Sequence, residues 1–510
     1  RDKPCISEPW SLNIMNEARE RLKSAKRIAV KVGADVPFCI MGGTMAAMDI
    51  GEVLAPLPDI RSDWYVLVKP DQDVSTKEAY AAFDNLCMLW SIGNEIHDTH
   101  ASPRGVALTR MLRDEVRKHD PRGHAQVTLG SNYMPWEGAQ QCADLIRIQG
   151  YNYAEKYYAP HHASHPDWVI YGSETASIVS TRGVYHFPKK SCILTDEDLQ
   201  CSSLGNSMTS WGTQDMREML TEDRLTPYSM GQFLWSGIDY IGEPTPYHTR
   251  SSYFGICDLA GLPKDRYWLY RSQWNAFEPT LHVLPHWNWK EGDRVPVFVY
   301  TSYPEAELFV NGKSYGRLRH ATAEETKLLK KGKRIKGVSA MPKTGKFKIP
   351  IWGSAPHPEL LPRYRLMWFD VPFEAGEIEV VAYDRNGQRM ANETIRTAGQ
   401  PDHLETVWAN KDENPDELCY ITVRVVDKDG NLCPTATPLV EFSVQGQAAT
   451  FRAAANGDAT CLDQFHLPRH HAFAGQLTAI LQSTTHPKAT ATLTAKAKGL
   501  KSGTLRIATN

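Results

Sequence analysis

Short apolar segments alternate with segments of helical periodicity between residues 86 and 280, and beyond residue 295 only strand-like alternation follows. Strands are predicted at 86–92, 126–129, 146–151, 168–172 and 231–235, and helices at 104–119 and 138–145. Alternating strands and helices are typical of a parallel sheet covered by helices. Alternation without helices, as at 295–300, 307–310 and 377–383, is typical of β-sandwiches. The chain is therefore predicted to be a multidomain α/β plus all-β protein.

Turn signals and length divide the chain further. Asn311-Gly312 follows one strand and predicts a hairpin, and Asp429-Gly430 predicts a second hairpin between strands at 420–426 and 439–444. The lysine-rich segment 327–336 is predicted to be a solvated loop. A length of 510 residues corresponds to about three or four domains. The predicted domains are 1–85, 86–280, 281–400 and 401–510, the last two being β-sandwiches.

Composition narrows the class of protein. The 57 basic and 59 acidic residues leave a net charge of −2, which disfavours a nucleic-acid partner. No apolar run approaches the ~18–20 residues of a membrane span, so no membrane association is expected. The ten cysteines form no CxxC pair, so a zinc knuckle or redox motif is not expected. Scattered thiols and the lack of a visible signal peptide favour a cytoplasmic location.

Aromatic residues are abundant, with 14 Trp, 21 Tyr and 15 Phe. Two explanations weigh equally on composition alone. Sugar-binding proteins use aromatic planes to stack on sugar rings, and β-rich cores are also rich in aromatic residues.

Two predicted strands end in a glutamate. Glu95 closes the sequence LWSIGNE, and Glu174 closes VIYGSE 79 residues later. Carboxylates at the carboxyl ends of neighbouring parallel strands can face one substrate, as in (β/α)₈ enzymes. Two carboxylates about 5–5.5 Å apart serve retaining glycosidases as acid/base and nucleophile. The competing interpretation, favoured by spacing alone, is that each glutamate is a surface loop residue.

The segment WSIGNE at residues 90–95 resembles the acid/base motif of family 2 glycoside hydrolases, the β-galactosidase family. The resemblance assigns the acid/base role to Glu95 and a contact with the sugar 2-hydroxyl to Asn94. GSETAS at 172–177 resembles the nucleophile region, which assigns the nucleophile to Glu174. GQFLWSGIDY at 231–240 resembles the eighth barrel strand, with Trp235 as a sugar platform. Tyr153 is expected either to hydrogen-bond the nucleophile or to have a packing role.

The resemblance covers about residues 87–510 and supplies only strands four to eight of a TIM (β/α)₈ barrel. Such an incomplete sheet exposes two association-prone edges. Two ways of covering them are open: packing of residues 1–85 against the strand at 86–92, or association with a second chain in a homo-oligomer. Residues at about 25–85, including VGADVPFCIMGG at 32–43, resemble the middle of 4-diphosphocytidyl-2-C-methyl-D-erythritol kinases. That resemblance implies a small α+β fragment and assigns the catalytic base to Asp35. The phosphate loop and catalytic lysine of that family are missing, so kinase activity is not expected. The chain is interpreted as a fusion.

The expected function is a retaining glycoside hydrolase that cleaves terminal β-galactosides through a covalent glycosyl-enzyme, with activity impaired by the missing strands. One alternative is an inactive or weak carbohydrate-binding protein whose β-sandwiches stack sugars on Trp287 and Trp289. Another is a different family specificity, β-glucuronidase or β-mannosidase. Family members use Mg²⁺ or Na⁺, but no ligand is assigned to either ion in this sequence. His97 and His100, near Glu95, and His161 and His162 are expected to be solvated surface residues.

Overall fold

The structure is a computed structural model that describes residues 45–48, 53–56, 89–119, 126–187, 199–204, 226, 228–245, 249–275, 277–339, 358–409, 418–486 and 488–509. It divides into two compact units, Arg1–Glu174 with Asp223–Phe233, and Thr175–Glu222 with Leu234–Asn510. Of the predicted kinase-like fragment, two strands are described, β1 (Met45–Met48) and β2 (Val53–Pro56), which pair antiparallel. Asp35 lies outside the described residues.

The first unit is built on a five-stranded sheet in which every predicted strand overlaps an observed one. Its strands lie in sequence order, and the first three neighbouring pairs are parallel. The strands are β3 (Leu89–Asn94), β4 (Gln126–Ser131), β5 (Ile148–Asn152), β6 (Val169–Thr175) and β7 (Ser229–Leu234). The connections contain α1 (Asp98–Ala101), α2 (Pro103–His119), α3 (Glu137–Ile146), the 3₁₀ turn Glu155–Tyr157 and α4 (Tyr158–Ser164).

Helix α3 shows why this part folds as strand and helix. Ala139, Cys142, Ala143 and Ile146 recur at helical spacing and are all buried. Two of them pack with Tyr151 of β5, and the other two join a neighbouring cluster on β4. The sequence therefore supplies one apolar face that covers the parallel sheet.

The second unit begins with a short β8–β9 pair and a helix, and continues into the first of two sandwiches. These elements are β8 (Tyr240–Ile241), β9 (Ser251–Ser252) and α5 (Asp265–Trp274). The first sandwich packs the sheet β10-β11-β14 against the sheet β13-β12-β15-β16 around a core of mainly branched residues. Its strands are β10 (Leu281–Leu284), β11 (Arg294–Thr301), β12 (Glu305–Val310), β13 (Lys313–Arg319), β14 (Leu366–Pro372), β15 (Glu377–Tyr383) and β16 (Arg389–Arg396). The predicted Asn311-Gly312 hairpin joins β12 to β13 and is confirmed.

The predicted loop at 327–336 is partly wrong, because its first residues belong to helix α6 (Ala323–Lys330). Thr322 and Glu325 form a reciprocal capping box that satisfies two backbone N–H groups at the start of the helix. Leu329 is buried while Lys327 is exposed, so the lysines lie on the solvated side of a short amphipathic helix. The 3₁₀ turn Pro358–Leu360 and helix α7 (Leu361–Tyr364) follow before β14.

The second sandwich packs the sheet β17-β18-β22-β20 against the sheet β21-β19-β23-β24. Its strands are β17 (His403–Trp408), β18 (Leu418–Val426), β19 (Leu439–Gly446), β20 (Ala449–Ala455), β21 (Arg469–His471), β22 (Gln476–Ser483), β23 (Thr490–Ala497) and β24 (Gly503–Ala508). The predicted hairpin at Asp429-Gly430 is wrong, because β18 and β19 lie in different sheets. The turn is real, but the chain after it crosses to the opposite sheet.

Asp427 holds that turn in place. Its carboxylate accepts hydrogen bonds from the backbone N–H groups of Gly399, Asp429 and Asn431, and from the Asn431 side chain, at 2.8–3.1 Å. Burial disfavours the charged form, but these donors outweigh that effect and lower the pKa of Asp427 to about 2. The folded protein therefore holds this carboxylate in its ionised form.

Replacing Asp427 with Asn should lower the free energy of unfolding by about 1–2 kcal/mol at pH 6. Since the folded pKa lies below the unfolded value, the stabilisation is present above about pH 4 and is lost as pH falls toward 2. Urea unfolding at several pH values should show the difference between wild type and variant shrinking over that window. Asp429→Asn, at an exposed position two residues away, is the control. An undiminished difference at pH 2.5 would contradict the assignment.

Within the described residues, the helices are too short or too polar to cross a lipid bilayer.

Candidate active site

Polar side chains gather at the carboxyl ends of β3, β5 and β6. Asn94 ends β3 and Glu95 follows it, Asn152 ends β5 and Tyr153 follows it, and Glu174 lies one residue before the end of β6. Parallel strands bring their carboxyl ends to one edge of the sheet, so residues 80 positions apart become neighbours. The structure brings these five residues together in one hydrogen-bonded group.

Both carboxylate oxygens of Glu174 accept a hydrogen bond. The Asn94 side-chain amide donates to Oε1 at 2.8 Å, and the Tyr153 hydroxyl donates to Oε2 at 2.6 Å. Two donors from two different strands fix the plane of the carboxylate. A carboxylate held in this way is oriented before a substrate arrives.

Asn152 connects the two glutamates. Its side-chain nitrogen donates to Asn94 Oδ1 at 2.9 Å and to Glu95 Oε1 at 3.0 Å, and its Oδ1 accepts from the Ser173 hydroxyl at 2.5 Å. Asn152 is 1% exposed, so these bonds replace contacts with water. Glu95 and Glu174 are therefore linked through one buried amide and its partner Asn94.

Glu95 and Tyr153 share an uncommon backbone conformation. Their φ angles are +50° and +54°, in the left-handed region that non-glycine residues rarely occupy. The backbone N–H of Glu95 donates to Gly130 O, and that of Tyr153 donates to Glu174 O, both at 2.9 Å. Hydrogen bonds to neighbouring strands thus hold both residues in this unfavourable backbone conformation. Non-glycine residues with a positive φ cluster at functional sites.

Two glycines leave room for the polar group. A Cβ on Gly130 would lie 2.5 Å from Asn94 Oδ1, and one on Gly150 would lie 2.4 Å from Ser173 Oγ. Neither glycine has a positive φ, so side-chain volume rather than backbone freedom requires glycine here. These strand-end glycines are part of the site although they carry no functional group.

Sequence reasoning placed Asn94, Glu95, Tyr153 and Glu174 in the site, and the structure places them within one hydrogen-bonded group. Sequence reasoning missed the bridging role of Asn152, together with Ser173 and the two glycines. The sequence did contain a signal for these residues. An asparagine at the end of a strand, with small residues on the neighbouring strands, is typical of a buried polar cluster. Asp35, by contrast, lies outside the described residues.

Trp235 belongs to the second unit. Its indole N–H donates to Tyr240 Oη at 3.1 Å, and that hydroxyl donates to Glu243 at 2.8 Å. The ring is partly buried beside a cluster that includes Tyr253 and Phe254. The two hydrogen bonds therefore fix the polar edge of the ring.

The histidines near the site differ from one another. His97 is exposed, as expected, whereas His100 is partly buried and stacks on Tyr133 with ring centroids 3.8 Å apart. The expectation for His161 is wrong: it is buried, and its Nδ1 lies 2.9 Å from Tyr151 Oη. Burial lowers the pKa of His161, so the ring stays neutral. Among the described side chains, no group of three metal ligands surrounds the two glutamates, and no step is assigned to Mg²⁺ or Na⁺.

The prediction that Trp287 and Trp289 are exposed sugar platforms is wrong, since both pack against other residues of the protein. Trp287 is fully buried and donates to Glu374 O at 3.0 Å. Trp289 stacks on His286 with centroids 4.4 Å apart and donates to the carbonyl of that residue. Both rings are therefore used for packing.

Two family models match the sandwiches. Residues 404–506 match glycoside hydrolase family 2 C-terminal domain 5, and residues 292–391 match a domain of unknown function, DUF4982. These matches correspond to the second and first sandwich.

Curated relatives fall into two groups. The chain is 33% identical over 414 residues to the beta-galactosidase BoGH2A of Bacteroides ovatus, covering 78% of this chain and 43% of that protein. It is 28% identical over 287 residues to a putative beta-glucuronidase of Formosa agariphila, covering 54% of this chain and 24% of that protein. Over 80 residues, or 16% of this chain, it is 47% identical to a 4-diphosphocytidyl-2-C-methyl-D-erythritol kinase of Alkaliphilus oremlandii, covering 25% of that protein. The chain thus spans less than half the length of each of these relatives.

Among solved structures, a beta-glycosidase from Bacteroides vulgatus matches with a TM-score of 0.62 and 24% identity, covering 85% of this chain and 53% of that one. This likeness concerns the fold. The family models and the relatives together make the chain similar to part of a glycoside hydrolase family 2 protein and, over 80 residues, to a kinase.

Proposed function

We propose that this chain is a retaining glycoside hydrolase that cleaves terminal β-galactosides through a covalent glycosyl-enzyme, with Glu174 as nucleophile and Glu95 as acid/base. One observation supports this most strongly: Glu174 is oriented by Asn94 and Tyr153, and Asn152 links that group to Glu95. A nucleophilic carboxylate needs a fixed orientation toward the anomeric carbon.

The proposed reaction has two steps. Glu95 donates its proton to the glycosidic oxygen as the bond to the anomeric carbon breaks, and Glu174 forms a bond to that carbon. The alcohol leaves with the proton. Glu95, now ionised, removes a proton from water, which attacks the anomeric carbon and releases Glu174 as a carboxylate. Asn94, which donates to Glu174 and accepts from Asn152, is the proposed contact for the sugar 2-hydroxyl.

We interpret the five-stranded sheet as strands four to eight of a (β/α)₈ barrel. The parallel order of its first four strands and the position of the polar group at their carboxyl ends support this interpretation. The kinase-like segment then precedes the fourth barrel strand. A barrel formed by these five strands alone would have an incomplete pocket wall, and lower turnover than that of an eight-stranded barrel would then be expected. Its two edge strands, β3 and β7, are the reason for expecting a homo-oligomer.

The environment of Lys264 favours a galactoside over a glucuronide as the proposed substrate. This lysine is fully buried, and its ammonium group donates to Asp239 at 2.7 Å and to Ser180 O at 2.6 Å. Asn288 exchanges two hydrogen bonds with the backbone of Ala398. Neither side chain is free to hold a sugar carboxylate. The relative named as a beta-galactosidase supports the same choice.

The full chain should be assayed with aryl β-galactoside, β-glucuronide and β-mannoside. We expect hydrolysis of the galactoside at the highest kcat/KM. A higher kcat/KM for the glucuronide or the mannoside would contradict the proposed specificity but would agree with the proposed mechanism. A folded chain that binds galactosides without turnover would contradict the mechanism and favour the carbohydrate-binding alternative.

Tyr153→Phe should lower kcat by about 10–100-fold, because a hydrogen bond to a charged group contributes about 1.5–3 kcal/mol. The lost donor orients Glu174 and stabilises the carboxylate that re-forms in the second step. Steady-state kinetics on the aryl galactoside would measure the change. Tyr157→Phe is the matched control, since that ring stacks on His161 instead. An unchanged kcat would assign Tyr153 the packing role.

A further inference from the structure

Three side chains of metal-ligating type meet in the second sandwich, far in sequence from the glutamates. Cys461, Asp463 and His470 each present one ligand atom, and these atoms lie within 4.8 Å of one another. We call these residues the Cys461 cluster. It lies between the loop that follows β20 and the edge strand β21. Sulfur, carboxylate and imidazole ligands in one group are typical of zinc.

His470 is the best-defined member of the Cys461 cluster. It is 1% exposed, and its Nδ1 lies 3.2 Å from His471 O and 3.6 Å from Asp463 Oδ2. Its Nε2 is buried and has no hydrogen-bond partner in the described part of the chain. If Nδ1 carries the hydrogen and donates to the carbonyl, Nε2 keeps a buried lone pair without a partner. Metal-ligating histidines characteristically donate their other ring N–H to a carbonyl or carboxylate in this way.

The surroundings fix the other two ligands. The His471 ring and backbone N–H both contact Asp463 Oδ2 at 2.8 Å, which orients the carboxylate. The loop itself is held by Asp458, which accepts from the backbone and hydroxyl of Thr460 and from Gln200. Cys461 donates its backbone N–H to Asp458 O at 3.1 Å. The cluster is therefore largely arranged before any ion binds.

We propose that Cys461, Asp463 and His470 bind one zinc ion, with water as the fourth ligand. A thiolate and a carboxylate would balance the two charges of the ion. Ligands 2.0–2.3 Å from zinc lie at most about 4.6 Å apart, close to the 4.8 Å within which the three ligand atoms lie here. Bound zinc would join the loop after β20 to the edge strand β21. This inference is independent of the proposed hydrolase activity.

Cobalt titration of the metal-stripped full chain tests the proposal. A thiolate-to-cobalt charge-transfer band should appear in the near ultraviolet, and Zn²⁺ should displace it. Cys461→Ser should abolish the band, while Cys257→Ser, which changes another partly exposed thiol, should retain it. Equilibrium dialysis should show that Cys461→Ser binds one zinc fewer than wild type.

His470→Gln is the second variant, with folding checked by circular dichroism, and its zinc affinity should fall at least about 10-fold. Wild type should also show a rise in Tm with zinc concentration that both variants lack. A charge-transfer band or zinc stoichiometry unchanged in either folded variant would overturn the proposal, as would a wild-type chain that binds no zinc at micromolar concentration.

Discussion

Glu174→Ala is expected to lower kcat/KM for an aryl β-galactoside by at least about 10⁴-fold, since loss of a nucleophile removes a group that acts only in the reaction. The same change leaves Asn94 and Tyr153 without their acceptor. Those donors are partly exposed and can turn to water, so the fold should survive. Glu115→Gln, on the exposed face of α2, is the control and should retain full activity.

Azide rescue separates the two glutamates. In Glu174→Ala, azide should replace the missing nucleophile and give the α-galactosyl azide, because one displacement inverts the anomeric carbon. In Glu95→Ala, with a smaller loss of about 10²–10⁴-fold, azide should attack the glycosyl-enzyme and give the β product. The opposite pairing of variant and product would reverse the assigned roles. Loss of activity in Glu115→Gln as large as in Glu174→Ala would point to a general structural effect.

Arg182→Ala should lower the free energy of unfolding by about 3–5 kcal/mol. Arg182 is buried, and its guanidinium contacts Asp258 at 2.6 Å, Asn456 O at 2.8 Å and Phe473 O at 3.2 Å. Asp258 is fully buried, so the variant would leave its carboxylate without its ion-pair partner. The contacts join a loop near the start of the second unit to its last sandwich.

Urea unfolding of the full chain, followed by tryptophan fluorescence, measures this loss. Arg396→Ala is the matched control, because Arg396 forms an exposed ion pair with Glu377 at 3.1 Å and should cost less than about 1 kcal/mol. Equal effects of the two variants would contradict the role assigned to Arg182.

Local sequence patterns correctly predicted the structural elements that are determined by residues close together in the sequence. The apolar face of α3 and the Asn311-Gly312 turn are examples, since periodicity and turn chemistry are local properties. Asp429-Gly430 also forms a turn, but whether the following strand pairs with the preceding one depends on which sheet has room for it. The lysine-rich segment was predicted to be a loop because its charge alone was considered. The capping box formed by Thr322 and Glu325, which predicts a helix, was not recognised.

In the candidate site, too, features set by local sequence were predicted, and features set by contacts between strands were not. The glutamates were found because each ends a predicted strand in a motif. Asn152 and Gly130 matter through contacts across strands, which depend on the register of the sheet. Trp287 was misjudged because a tryptophan's type does not reveal its burial. The Cys461 cluster was missed because it contains one cysteine, so no CxxC pattern marks it, and its histidine lies on a separate strand.

Trapping the glycosyl-enzyme tests the central claim most directly. A 2-deoxy-2-fluoro-β-galactoside with a good leaving group slows the second step, so the sugar should remain bound. Mass spectrometry of the digested full chain should then find the fluorogalactosyl group on the peptide that contains Glu174, attached to that residue. Attachment to Glu95 or to another residue, or turnover without any covalent adduct, would contradict the account.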